Sequence, residues 1–152
     1  MKLFGNIIYW TLIIFALIQF IPVDRRNPTV KGKHDFVNIY QTPSDVSEIL
    51  KKACYDCHSN ETRYPEYAYV APISWSVKHH VNEGREHLNL SIWGTYNREL
   101  KKGMLENSAA DLKQNRMPIP GYMAQHPEAR LSEAEKKLLV DYLEGILKSG
   151  NY

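Results

Sequence analysis

Cysteine is scarce in this chain: two residues, Cys54 and Cys57, among 152. That scarcity excludes a multi-bridge disulfide framework. A bond between the two themselves would close too short a loop to constrain the unfolded chain much. No βαβ pattern accompanies them, which excludes a thioredoxin-like redox pair. Strand patterns are lacking altogether, so the fold class is expected to be all-α. Basic runs are lacking as well, with 19 lysines and arginines nearly balanced by 17 acidic residues. Without a basic stripe or a recognition motif, nucleic acid is not an expected partner.

The two cysteines stand in Cys54-Tyr55-Asp56-Cys57-His58. A Cys-x-x-Cys-His pentapeptide is the attachment signature of c-type haem. Each thiol can form a thioether with one vinyl group, and the adjacent imidazole reaches the iron. On a helical turn, residues three apart share a face, so Cys54 and Cys57 approach the porphyrin together and His58 follows, turned towards the ring. The expected cofactor is therefore one covalent haem c, with His58 as proximal ligand. Zinc is the competing reading. It needs four ligands, of which this motif supplies three, with neighbours Cys57 and His58 strained in a tetrahedron.

A second axial ligand is sought among Met104, Met117, Met123, His34, His79, His80, His87 and His126. Met117 is the choice, because Pro118 and Pro120 restrict its loop and can hold the sulfur at a fixed height. A flexible methionine in a loop bounded by prolines is seldom needed for core packing, and methionine opposite histidine raises the haem potential. Met123 is six residues on, and His79 or His80 would give bis-histidine ligation. Neighbouring helical histidines diverge by about 100°, so only one of that pair can ligate. Arg63, Arg85, Arg130, Trp75 and Trp93 are candidates to meet the propionates, with none singled out.

From Leu3 to Val23 no residue is charged. Such a run is long enough to cross a bilayer core, and no small-residue cleavage site follows it. Residues 1–23 are therefore expected to be an uncleaved transmembrane anchor. Lys2 on one side and Arg25 with Arg26 on the other leave orientation to the haem motif. Attachment of c-type haem outside the cytoplasmic membrane places the haem domain on the periplasmic side of a single-pass protein.

Residues 24–41 read as a polar tether broken by Pro28 and Gly32, and 42–150 as the haem-binding domain. Within it, Thr42 is expected to cap a helix whose apolar face is Val46, Ile49, Leu50 and Ala53. Tyr64, Tyr67 and Tyr69 fall in an aromatic loop over 59–72, expected partly to pack at the haem edge. Helices are expected over 73–88 and 97–114, and a break at 116–122. A final helix opens on a Ser132–Glu135 capping box and stops at Gly150.

The stretches CYDCHSNETRYP, APISWSVKHHVNEGREHLNLSIW and RMPIPGYMAQHPEARLSEAEKKLL resemble the bacterial haem-binding domain family. The resemblance covers approximately residues 35–147. Its members are small, often membrane-anchored proteins related in plan to class I cytochromes c. It implies a small cytochrome c-like helical domain, haem on Cys54 and Cys57, His58 proximal, and Met117 of the Met-Pro segment distal. Ile119 departs from the commoner Met-Pro-Pro, and Glu66 stands where an aromatic often follows Tyr-Pro. The expected role is a membrane-tethered monohaem cytochrome that passes single electrons to membrane-bound or periplasmic redox proteins. The alternative is a haem-based sensor or gas-binding module with a labile sixth ligand. A dihaem peroxidase needs two attachment motifs, and no acid–base constellation marks an active site, so an enzyme is not expected.

Overall fold

The computed structural model describes residues 2–152. Met1, and the side chain of Lys2 on which the orientation argument partly turned, lie outside the described residues. Among those described there are eight α-helices, four short 3₁₀ turns and no strand, as the all-α reading requires. The helices are α1 (Lys2–Ile18), α2 (Phe36–Ile39), α3 (Ser44–Ala53), α4 (Tyr55–His58), α5 (Ile73–His87), α6 (Arg98–Lys113), α7 (Pro120–Gln125) and α8 (Glu133–Ser149).

The expected transmembrane helix is corrected. Helix α1 ends at Ile18 after 17 residues, which at 1.5 Å per residue reaches about 25 Å, short of a hydrocarbon core of about 30 Å. No helix among the described residues is long and apolar enough to cross a membrane. The expected single-pass membrane protein with its haem domain on the periplasmic side is therefore not supported. Past its end the chain is tied to the 66–72 segment. The Gln19 amide reaches back to Phe15 O at 2.9 Å and bonds both backbone groups of Ala71, with Nε2 to O at 3.1 Å and N to Oε1 at 2.9 Å. Arg25 Nε then donates to Ala68 O at 2.7 Å and its guanidinium lies 4.3 Å over the Tyr69 ring.

The stretch read as a tether is folded from Gly32 onward. Asp35 caps α2 by accepting from Val37 N at 3.0 Å, and Phe36 enters the core at 1 % exposure. Phe36 meets Tyr40 and Trp93 edge-on, at 4.9 and 5.1 Å between ring centroids. The few apolar residues of this polar segment, Val30, Phe36, Val37 and Ile39, show no helical period, which is why the sequence pattern passed over them.

Around that cluster, α3 and α6 both pack on α8. The apolar face read from the sequence, Val46, Ile49, Leu50 and Ala53, is buried. Thr42 does not cap α3: Pro43 occupies the cap position without a side-chain bond, and Thr42 Oγ1 accepts from Tyr142 OH at 3.0 Å. The α8 capping box is present, with Glu135 N donating to Ser132 Oγ at 3.2 Å and Ser132 N to Glu135 Oε2 at 2.8 Å. Lys52 of α3 also bonds Glu135, so the box ties two core helices together. Gly150 ends α8 at φ 66°, a left-handed conformation that glycine adopts without a Cβ clash.

Candidate functional site

The Cys-x-x-Cys-His segment is a single turn set across the end of α3. Cys54 closes α3, and its carbonyl accepts from Cys57 N at 3.2 Å and His58 N at 2.8 Å. The two intervening residues fix this turn from opposite sides. Tyr55 is buried, and its hydroxyl donates to the Asp35 carboxylate at 3.1 Å. Asp56 accepts from Arg63 N at 3.0 Å and from Tyr122 OH at 2.7 Å. Below the turn, Ser59 Oγ donates to Tyr55 O at 2.7 Å, and Arg85 Nε donates to Ser59 O at 2.8 Å.

Both cysteines are free and partly buried. Burial pushes the Cys54 thiol up to about 12, helped by the neighbouring Cys57. Burial likewise raises Cys57 to about 11, with Asp56 adding to the shift. At neutral pH both side chains are thiols. Disulfide formation proceeds through a thiolate, so this environment slows their mutual oxidation.

Helix α5 positions the imidazole. His58 Nδ1 lies 2.9 Å from Gly84 O and 3.1 Å from Leu88 O. Two carbonyls at one nitrogen assign it the proton, which leaves Nε2 with a free lone pair. Burial lowers the basicity of His58 and outweighs the opposing pull of those carbonyls. A neutral imidazole with its Nδ1–H held by backbone oxygen is the form that ligates a metal through Nε2. The approach of α5 depends on Gly84, because a Cβ there would sit 2.7 Å from Cys57 O. Gly84 is a functional residue the sequence reading missed. An isolated glycine inside a helical pattern was the signal for it.

Cys54, Cys57 and His58 share the wall of a 580 Å³ cavity. Its depth is apolar, formed by Phe36, Leu50, Trp93, Leu105, Leu139 and Leu143. Met104 and the Met117-Pro118-Ile119 loop also line it. Of the eight distal candidates, Met104, Met117, His80 and His87 line this cavity, whereas Met123, His34, His79 and His126 do not. His79 is turned to Glu83, 3.3 Å away, on an exposed surface.

The propionate candidates fare differently. Trp93 lines the cavity but its Nε1–H donates to Tyr40 OH at 3.2 Å. Arg85 is committed to Ser59, Asn27 and Thr62, and Arg63, Arg130 and Trp75 lie off the cavity wall. Its polar edge comes instead from His80, Glu83 and His87 on α5 and Asn107, Ser108 and Asp111 on α6. The tyrosines of the 59–72 loop are also absent from the lining, so they do not pack at this site. Nor does a zinc centre assemble, since among the described residues no group of three or more His, Cys, Asp or Glu is placed to hold a metal ion.

Residues 13–145 match the model of one protein family, described as a haem-binding domain. No curated protein and no solved structure matches the chain.

Proposed function

Because the chain belongs to the haem-binding domain family, we propose that it is a monohaem c-type cytochrome carrying single electrons rather than an enzyme. Cys54 and Cys57 are its attachment thiols, His58 its proximal ligand and Met117 its distal ligand. The observation that carries this reading is the fixed His58 ring, whose Nδ1–H is spent on two backbone carbonyls in the wall that also holds both thiols. The 580 Å³ cavity falls within the range of about 300–1,000 Å³ typical of small-molecule and cofactor sites.

When bound, haem supplies a one-electron iron couple whose potential is set by axial ligands, hydrogen bonding and burial. The chain's own residues do the rest. Cys54 and Cys57 would hold the haem through thioethers to its vinyl groups, an addition of S–H across a double bond that would need no leaving group and no oxidant. Gly84 O and Leu88 O orient His58 and raise the electron density on its free nitrogen. The leucines and Trp93 exclude water, while the α5–α6 edge leaves a polar face through which a redox partner is met.

One observation favours the gas-binding alternative: Met117 is 37 % exposed, at the rim rather than in the core. Carbon monoxide separates the two. In haem-loaded protein reduced with dithionite, the expected result is a low-spin spectrum that carbon monoxide leaves unchanged. Met117→Ala is expected to open the site to rapid binding. Rapid carbon monoxide binding by the unmodified protein would instead favour the labile-ligand reading, and a closed site in Met117→Ala would remove Met117 as the ligand.

A further inference from the structure

A second cavity, of 250 Å³, shares Cys57, His80, Ile119 and Tyr122 with the first. One wall is apolar, formed by Pro65, Ile73, Val77, Val81 and Ile119. The lining also carries Tyr67 and His126, joined by a 2.7 Å hydrogen bond from Tyr67 OH to His126 Nε2. His126 Nδ1 lies 3.1 Å from Glu128 Oε1, which assigns that nitrogen the proton and makes Nε2 the acceptor. The imidazole is held flat against Tyr122, with ring centroids 4.4 Å apart and planes 22° apart.

This chain of bonds sets what the cavity can recognise. Tyr67 spends its proton on His126, so its oxygen has only lone pairs to offer. A ligand that bonds Tyr67 must therefore bring a donor. Burial raises Tyr67 above the ordinary tyrosine range, and a backbone hydrogen bond followed by Glu128's own bond to His126 holds Glu128 low, so both ends keep these roles at neutral pH. The cavity is smaller than the usual range for drug-sized ligands, which limits the occupant to one ring. Asp56 and Arg63 both line the cavity, so its charged groups offset one another and a neutral hydroxyl needs no counter-ion there.

We infer that this second cavity is a binding site for a small single-ring phenol, its ring against Val77 and Ile119 and its hydroxyl donating to Tyr67. The inference rests on the lining alone and holds whether or not the adjacent cavity carries haem. Phenol and toluene, titrated into the full-length chain and followed by calorimetry, test it. Phenol is expected to bind saturably and about fivefold more tightly than toluene, the worth of one hydrogen bond. Tyr67→Phe is expected to erase that preference while leaving toluene affinity unchanged. Val77→Phe, which fills the cavity, is expected to weaken both ligands more than tenfold, with folding checked by its melting curve. If phenol does not bind saturably, or if Tyr67→Phe keeps the preference for phenol, the site is not the one inferred. A shift of the visible spectrum of haem-loaded protein on adding phenol would place the ligand at the iron and equally overturn the inference.

Discussion

Replacing Gly84 by alanine is expected to destabilise the protein and to abolish normal haem loading. In most helices this change is favourable by about 1 kcal/mol, because glycine is the poorer helix former. Here the new Cβ would lie 2.7 Å from Cys57 O, 3.0 Å from Cys57 C and 3.0 Å from Cys57 Cβ. Those partners are backbone or directly attached to it and cannot rotate away, so α5 must move off the haem motif. Overpacking of this kind costs about 1–3 kcal/mol, which offsets the propensity gain and, at its upper end, leaves a net loss of about 2 kcal/mol. For a chain of this size that lowers the melting temperature by about 4–8 °C. The same displacement carries Gly84 O and Leu88 O away from His58 and frees the imidazole. Gly103 provides the control, since nothing lies within 4 Å of a Cβ built there. Gly103→Ala in α6 is expected to stabilise by up to about 1 kcal/mol and to leave haem loading intact.

Phe36→Ala is expected to cost about 3–5 kcal/mol, the range for removing a buried phenylalanine. The side chain is 1 % exposed, sits edge-on to Tyr40 and Trp93, and forms part of the cavity wall. Its loss leaves a void beside the proposed porphyrin site, so a melting curve should fall by about 6–20 °C. A tether would behave otherwise: truncating an exposed linker residue leaves stability within about 0.5 kcal/mol. The melting temperature of this variant therefore decides between a folded and an unfolded role for residues 32–40.

The parts of the fold legible in the sequence were those with a repeated or paired signal. Helix α8 opens on the Ser132–Glu135 box and stops at Gly150, both where the pattern placed them. Helices α5 and α6 lie within one residue of the spans 73–88 and 97–114. What escaped was structure made by single residues. Asp35 caps a helix of one turn, Pro120 starts α7 inside the segment read as a break, and Gln19 ties to Ala71 an apolar run that hydropathy alone carries on to Val23. None of these alters a period. The candidate site divides the same way. The Cys54–His58 turn is written in consecutive residues, and Met117 lines the same cavity. The carbonyls that orient His58 and the polar edge on α6 belong to long-range packing that no local spacing encodes.

The central claim is that Cys54 and Cys57 bind haem covalently, and the intact mass of the denatured chain tests it most directly. The full chain is to be matured in a host with c-type haem assembly, then unfolded in acid before ionisation. The account predicts a mass increased by one haem that survives unfolding, and its loss when both cysteines are replaced by serine. A chain that binds haem but sheds it on unfolding, or that carries none, would contradict the account.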